Sequence, residues 1–472
     1  MIELHEHFID GRWIEGTGET FTLIDPATEE PSMSVRLATN DEVDRAVAAA
    51  RAAFEGWRTT PVEERAALLE RMIAIYRERS EAMADAMTRE MGCPITLSRE
   101  VQAPCGDGHL QATLEALHAH DFERPSPRGG STLVDEAVGV CALITPWNWP
   151  VNQVIVKIAP ALAAGCTMVL KPSEHAPLSA VMLVEVAQEA GVPPGVLNMV
   201  QGDGAGAGER LTGHGDVDLV SFTGSTRAGI AISRAAADTV KRVLLELGGK
   251  SANLLFADAD LEDAARRAVR SVCNNSGQDC DAPSRLLVER SVYDEVVRIA
   301  ADEADRIAVG DPMREGDHLG PVVSERQWHN IQRLIAVGEE EARLVAGGTG
   351  RPDGLERGWY VRPTVFADAT NDMEIAREEV FGPVLAIIPF DTEDEAVAIA
   401  NDSPYGLAAF VQTGDARRAA RVARRLRAGN VSVNGAAYDY DVPFGGVKRS
   451  GNSRENGFMG LEEYLDTKAI TS

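Results

Sequence analysis

The sequence predicts an α/β protein built from two parallel-sheet domains in series, and three observations carry that expectation. Short apolar runs alternate with helical patterns from residue 138 to residue 247. A second alternation of the same kind begins near Asn253 and runs past residue 430. The stretch RPSPRGG at 124–130 is a proline and glycine break that separates the first alternation from a mainly helical N-terminal part. Strands that read as unbroken apolar runs are buried on both faces, and their alternation with helices is the pattern of a parallel sheet covered by helices. Such sheets bind ligands beyond the carboxyl ends of their strands, so chemistry is expected there.

Taken in order, residues 7–24 read as a hairpin. Phe8 and Ile9 lead into the turn pair Asp10-Gly11, and Trp13 and Ile14 follow. Asn40 and Asp41 are placed to cap a helix carrying Val43, Val47 and Ala50. A second helix spans about 62–91, with Leu68, Leu69, Met72, Ile75 and Tyr76 at helical spacing. A third covers about 97–118. In the first alternation strands are expected at 138–144, 167–170, 196–200, 219–222 and 243–247, and helices at 154–164, 178–190 and 227–240. In the second, helices are expected at 261–272, 292–307, 325–341, 393–400 and 416–426, and strands at 285–288, 343–345, 361–366, 384–390, 409–412 and 431–433. The tail, 451–472, holds Leu461, Tyr464 and Leu465 with little of its own to pack on, and reads as a terminal strand that joins another subunit.

The 472 residues carry 44% hydrophobic and 25% charged side chains, the balance of a globular chain with a full core. A formal net charge of −27 opposes nonspecific binding to nucleic acid or to an anionic membrane, so neither is expected as a partner. The first residues lack a basic segment followed by an apolar run, and no apolar stretch is long enough to span a bilayer, which points to the cytoplasm. None of the six cysteines forms a C-x-x-C pair, so zinc ribbons and thioredoxin chemistry are not expected and the thiols read as reduced. No H-E-x-x-H or similar ligand cluster occurs, and no metal is expected.

The stretch NNSGQDCDAPSR, 274–285, surrounds Cys280 with glycine, amide and carboxylate side chains and a following proline. It reads as a loop that presents a thiol able to react as a thiolate, or as a surface thiol without a role. Each further motif follows a predicted strand. In PWNWP, 146–150, two prolines and two indoles make a stiff loop whose one amide, Asn148, is suited to hold an oxyanion or to satisfy the turn's own backbone. In KPSE, Lys171 can neutralise a phosphate or meet a ribose hydroxyl, and Glu174 can take a ribose diol; a solvated ion pair is the other reading. In FTGSTRAG, Gly224 and Ser225 open a helix whose free N–H groups suit a pyrophosphate, although the pattern is not G-x-G-x-x-G. GDGAGAG, 202–208, reads as a flexible turn beside that site. Glu246, set among leucines, is a carboxylate that burial raises toward the range of a general base, or else one that pairs with Lys250. Glu379 in EEVFGP is a second carboxylate of interest, or an exposed acid before a strand.

PWNWP, KPSE, FTGSTRAG, LELGGK, GQDC, EEVFGP and PFGGVKRSG, in that order, resemble the aldehyde dehydrogenase superfamily of NAD(P)-dependent, hydrolytic type. The resemblance spans most of the chain. It implies Rossmann-like cofactor and catalytic domains, at 1–116 with 137–248 and at 249–450, and a small β oligomerisation element at 117–136 and 451–472. It implies Cys280 as the nucleophile that forms a thiohemiacetal and, after hydride passes to the nicotinamide, a thioester. Asn148 and the backbone N–H of Cys280 resemble the oxyanion hole, and Glu246 the base that activates water. Lys171 and Glu174 resemble the residues at the adenosine ribose, Gly224 and Ser225 those at the pyrophosphate, and Glu379 and Phe381 those at the nicotinamide ribose and ring. Thr145 and Trp147 resemble further cofactor positions. Trp149, Val156 and Tyr438 resemble pocket-lining positions, as do Asp279 and Asp281 on either side of the nucleophile, where they would favour polar or cationic aldehydes and raise the thiol pKa if they point inward.

The expected activity is therefore NAD-dependent oxidation of a small-molecule aldehyde to its acid by a homodimer or homotetramer. Glu174 should repel a 2′-phosphate, which disfavours NADP. A CoA-acylating relative is the neighbouring alternative, against which Glu246 argues because acyl transfer to a thiol needs no water-activating base. A catalytically silent binding or structural relative is the alternative of a different class, against which the intact Cys280, Asn148 and Glu246 argue.

Overall fold

A computed structural model describes residues 1–471. Two seven-stranded sheets organise the chain. In the first, Arg242–Leu247, Leu219–Gly224, Val140–Ile144, Thr167–Lys171 and Leu197–Met199 lie side by side and parallel. The hairpin Glu6–Ile9 and Arg12–Glu15 adds an antiparallel edge through Met199 and Phe8. Asp10 and Gly11 take left-handed backbone angles at its turn, as a two-residue hairpin loop needs. Apolar side chains cover both faces of the five parallel strands. That burial explains why apolar residues predominate in them.

The second sheet runs Arg343–Ala346, Thr364–Ala367, Val384–Phe390, Arg285–Glu289, Ala252–Leu255, Ala408–Gln412 and Asn430–Val433. All its pairs are parallel except the first. Ala252–Leu255 is absent from the strands expected above. It is four residues long and follows two glycines, so its sequence shows only the start of the second alternation.

Three expectations change. Residues 7–24 are not one hairpin, since Thr20–Ile24 pairs with Pro31–Arg36 in a separate three-stranded sheet. The 18-residue helix Asn40–Trp57 is capped one residue earlier than expected, by Thr39. Thr39 Oγ1 accepts from Glu42 N, and Glu42 Oε2 accepts from Thr39 N, a reciprocal capping box. The tail strand Leu465–Thr471 pairs within its own chain, antiparallel to Ser131–Ala137, which also pairs with Glu123–Pro125. The break at 124–130 is thus the turn of a hairpin whose free edge the tail covers. Gly451 lies elsewhere, bridged to Glu246.

The helix Asn40–Trp57 lays Val43, Ala46, Val47 and Ala50 on one face of the first sheet, against Val140, Ala142 and Val169. Replacing Thr39 by Ala removes the cap and should lower stability by about 1 kcal/mol, seen as a lower urea midpoint at unchanged slope.

Candidate active site

The motif loops gather where the carboxyl ends of the first sheet face the second. One cavity of ≈ 580 Å³ lies among Trp147, Glu174, Gly224, Ser225, Glu379 and Phe381. A second, of ≈ 280 Å³, lies among Trp149, Asp279, Asp281, Tyr438 and Tyr440. Cys280 is half-buried and lines both.

A knot of amide hydrogen bonds sets the thiol's position. Asn275 and Ser276 have φ of 50° and 58°, left-handed values that are uncommon for residues with a Cβ, and Gly277 follows at 74°. The turn brings Asn275 Nδ2 to the carbonyl of Asn148 at 2.8 Å. Asn148 Nδ2 in turn donates to the carbonyl of Gln278 at 3.1 Å. Gln278 Oε1 accepts from Val323 N at 2.8 Å, and Gln102 Nε2 donates to Asn275 Oδ1 at 3.3 Å. Asn148 is therefore buried and fixed, with one amide proton engaged and the other available to a ligand oxygen. It does not merely satisfy its own turn.

Glu246 is the fifth residue of Arg242–Leu247 and is buried. Its Oε1 accepts from Ser453 Oγ at 2.7 Å, while Oε2 has no partner. Burial pushes this carboxyl well above the carboxylate range, and the Glu455 charge adds to that; the Ser453 hydrogen bond and the Lys157 charge oppose it. Lys157 Nζ is itself buried, bound to Glu455 Oε1 and to Ser221 Oγ. The alternative of a Glu246–Lys250 pair does not hold. Burial pushes the Lys250 ammonium down to about 7, Arg285 adds to the fall, and the carboxylates that oppose it are Glu379 and Glu378.

Cys280 is not poised as a thiolate. Burial pushes its thiol well above the usual range, with Asp279, Asp281, Glu379 and Glu246 adding to the rise. Attack by this sulfur therefore needs a base to take its proton. Asp279 and Asp281 both line the smaller cavity beside the thiol.

Around the larger cavity, Glu379 is half-buried rather than exposed, with Oε1 accepting from Gly249 N at 3.0 Å; burial pushes it up to about 7. Phe381, at φ 54°, sets its ring edge-on to Trp147 with centroids 5.4 Å apart. Ser225 caps the helix Thr226–Ala236 through Ala228 N. Glu174 lines the cavity, but Lys171 and Thr145 do not. Lys171 is buried, its Nζ donating to the Gly202 carbonyl at 2.7 Å and lying 3.7 Å from Glu174 Oε2. GDGAGAG is a helical turn, Gly204–Gly208, that Asp203 caps through Gly206 N at 2.7 Å, so it is built, not loose.

Reasoning from sequence missed Asn275, Gln278 and Ser453, which position Asn148 and Glu246. It also missed Arg326 and Gln327, which reach the larger cavity from the start of helix Glu325–Glu341. Only Asn275 and Gln278 carried a signal, as amides beside the cysteine. Among the described residues no cluster of His, Cys, Asp or Glu could hold a metal ion. No helix among them is long and apolar enough to cross a membrane.

The two cavities meet at Cys280, and Asn148 and the buried Glu246 line the larger one with it. Residues 13–470 match the aldehyde dehydrogenase family, and the chain belongs to it. It is an enzyme that oxidises aldehydes. It is 51% identical to 3-succinoylsemialdehyde-pyridine dehydrogenase from a Pseudomonas species, over 100% of this chain and 99% of the other. An aldehyde dehydrogenase structure from Bartonella henselae superposes with a TM-score of 0.98 at 48% identity, covering 100% of both chains. A mutant of aldehyde dehydrogenase C from Pseudomonas syringae, solved with NAD+ and octanal, superposes at 0.97 with 48% identity, covering 99% of this chain and 96% of that one.

Gly277 sits where a Cβ would lie 2.0 Å from the Gly382 carbonyl carbon, so the Cys280 loop touches the Glu379–Phe381 loop backbone to backbone. Replacing Gly277 by Ala should cost about 2 kcal/mol or more, measured as a lower denaturation midpoint, because strain at positive φ and the clash add.

Proposed function

We propose that this chain oxidises its aldehyde to the free acid with NAD, Cys280 being the nucleophile, Asn148 the oxyanion donor and Glu246 the base. The observation that carries the reading is the position of Cys280 at the junction of the ≈ 580 Å³ and ≈ 280 Å³ cavities, one fitted to cofactor and one to aldehyde. The larger cavity fits the dinucleotide on this chain's own residues. Gly224 and Ser225 lead into a helix N-terminus that suits the pyrophosphate. Glu379 offers a carboxylate for a ribose diol, and the Trp147–Phe381 pair an aromatic wall for a flat ring. Glu174 at the wall supports a ribose diol at the adenosine end and repels a 2′-phosphate. Lys171 contributes charge behind Glu174 without reaching the wall. Thr145 lies behind the wall too.

The division of labour follows from the site. Cys280 Sγ bonds to the carbonyl carbon, its proton passes to a base, and the carbonyl oxygen becomes an alkoxide. Asn148 Nδ2 and the Cys280 N–H hold that alkoxide, a contribution typically worth about a hundredfold or more in rate. The bound nicotinamide supplies the hydride acceptor. The thioester left on Cys280 is released by water that gives its proton to Glu246 as the new C–O bond forms and the C–S bond breaks.

The sheets support a division into a cofactor domain, 1–116 with 137–248, and a catalytic domain, 249–450. The short sheet of Glu123–Pro125, Ser131–Ala137 and Leu465–Thr471 has two open edges and suits pairing between subunits, as a homodimer or homotetramer in the cytoplasm.

NADH and free acid should form from an aldehyde without CoA, and Cys280→Ala should abolish both. Glu246→Gln should lose at least about 100-fold in steady turnover because deacylation loses its base: a burst of about one NADH per site that survives assigns Glu246 to the water alone, and a lost burst assigns it the thiol proton as well. Turnover only with CoA would replace hydrolysis with acyl transfer to a thiol. Ser453→Ala removes the hydrogen bond that favours ionised Glu246, so the carboxyl rises further. Activity that needs the carboxylate grows with pH, and the acid limb of the kcat profile should move to higher pH in this variant.

A further inference from the structure

Aldehyde oxidation as derived above leaves the two carboxyls beside the nucleophile unused. Asp279 and Asp281 both line the ≈ 280 Å³ cavity that opens onto Cys280. Among the described residues no arginine, lysine or histidine pairs with either carboxyl. The two carboxyls lie near enough to share a hydrogen bond, and the Asp281 backbone N–H and the Trp149 indole ease the Asp279 charge. The cavity wall contains no basic side chain at all, and its third carboxyl, Glu455, already binds Lys157.

A second observation points into the same space. Gln153 lines this cavity at 4% exposure, and its Oε1 has no hydrogen-bond partner. A buried acceptor left open in this way is costly unless a ligand donates to it. Tyr438 and Tyr440, edge to face with centroids 5.1 Å apart, and Trp149 complete the wall with π-faces. Carboxyls, an open amide acceptor and aromatic faces share one preference, a cation that carries N–H donors. An anionic tail would face three carboxyls there and no basic side chain.

We propose that Asp279 and Asp281, with Gln153 and the tyrosine wall, form a subsite for a positively charged nitrogen on the tail of the aldehyde substrate. The class is short ω-ammonium aldehydes. Adjacent Cα atoms lie about 3.8 Å apart, so carboxyls on both neighbours of Cys280 reach a nitrogen about two or three carbons from the carbonyl. The inference rests on Cys280 as the nucleophile.

The electrostatics give such a substrate an effect on the chemistry as well as on binding. Burial first and Asp281 second hold the Asp279 carboxyl well above its usual range. The same two residues help to keep the Cys280 proton in place. An ammonium between them favours their ionised forms and screens the thiol from their charge, so the cationic substrate eases the loss of the proton that attack requires.

The test compares 3-aminopropanal with butanal, its neutral isostere, in the wild-type enzyme and in the Asp279→Asn/Asp281→Asn double variant. Wild type should favour the amino aldehyde by at least about tenfold in kcat/KM, and the double variant should bring the ratio to within about twofold of one. Equal turnover in wild type, or a preference unchanged in the variant, overturns the subsite. Calorimetry with propylammonium chloride, which needs no turnover, should show saturable binding to wild type that the double variant loses; no binding to wild type overturns the proposal. Cys280-dependent oxidation of butanal with a flat ratio would leave the nucleophile assignment standing and remove the subsite alone. No NADH from either aldehyde would count against the nucleophile assignment, with propylammonium binding still deciding the subsite.

Discussion

The site depends on one set of hydrogen bonds, in which Asn275, Asn148 and Gln278 hold one another. Asn275 donates to the Asn148 carbonyl, Asn148 donates to the Gln278 carbonyl, and Gln278 Nε2 donates back to the Asn275 carbonyl at 3.2 Å. Asn148 belongs to the loop after a strand of the first sheet, and the other two belong to the loop before a strand of the second. Every amide group here is buried, so each bond removed would leave an unsatisfied polar atom in a low-dielectric setting. The two sheets are thereby registered at the residue that must sit between cofactor and aldehyde. The left-handed turn at 275–277 is the backbone cost of that registration.

Charge is the second organising feature. Glu246, Glu379, Asp279 and Asp281 all approach Cys280, and each raises its thiol pKa. Basic groups balance this field at a distance rather than at the sulfur: Lys157 through Glu455, and Lys250 toward Glu379. The arrangement favours the thiol over the thiolate. It also leaves the thiol's activation to the base and to whatever occupies the two cavities. The proposed nucleophile, base and cationic subsite are three consequences of one crowded field of carboxyls.

Much of the molecule was legible in the sequence. The short, mainly apolar runs at 140–144, 167–171 and 219–224, set between helical patterns, read as strands buried on both faces. Helices Val62–Met91 and Glu325–Glu341 fall on the expected residues because their apolar periodicity is long and their ends are marked. Cys280, Asn148, Glu246 and Glu379 stood out as candidates, each with a local alternative, and it was the resemblance of the seven motifs that selected among the readings. Ala252–Leu255 was harder, because four residues after a glycine pair, one of them Asn253, have too little length to show a period.

Local sequence determined element type, the order of the strands in each sheet's half of the chain, and the residue types brought to the strand ends. Tertiary structure alone decided which of those residues meet. Ser453 reaches Glu246 across 207 positions, and Lys157 reaches Glu455 across 298. Nothing in either neighbourhood marks the partner, because a hydrogen bond depends on where atoms lie in space and not on separation along the chain. The same reason explains why Lys250, four residues from Glu246, acts on Glu379 instead, and why the tail strand covers the edge of its own hairpin. Sequence fixes what a residue can do; only the packed fold fixes to whom it does it.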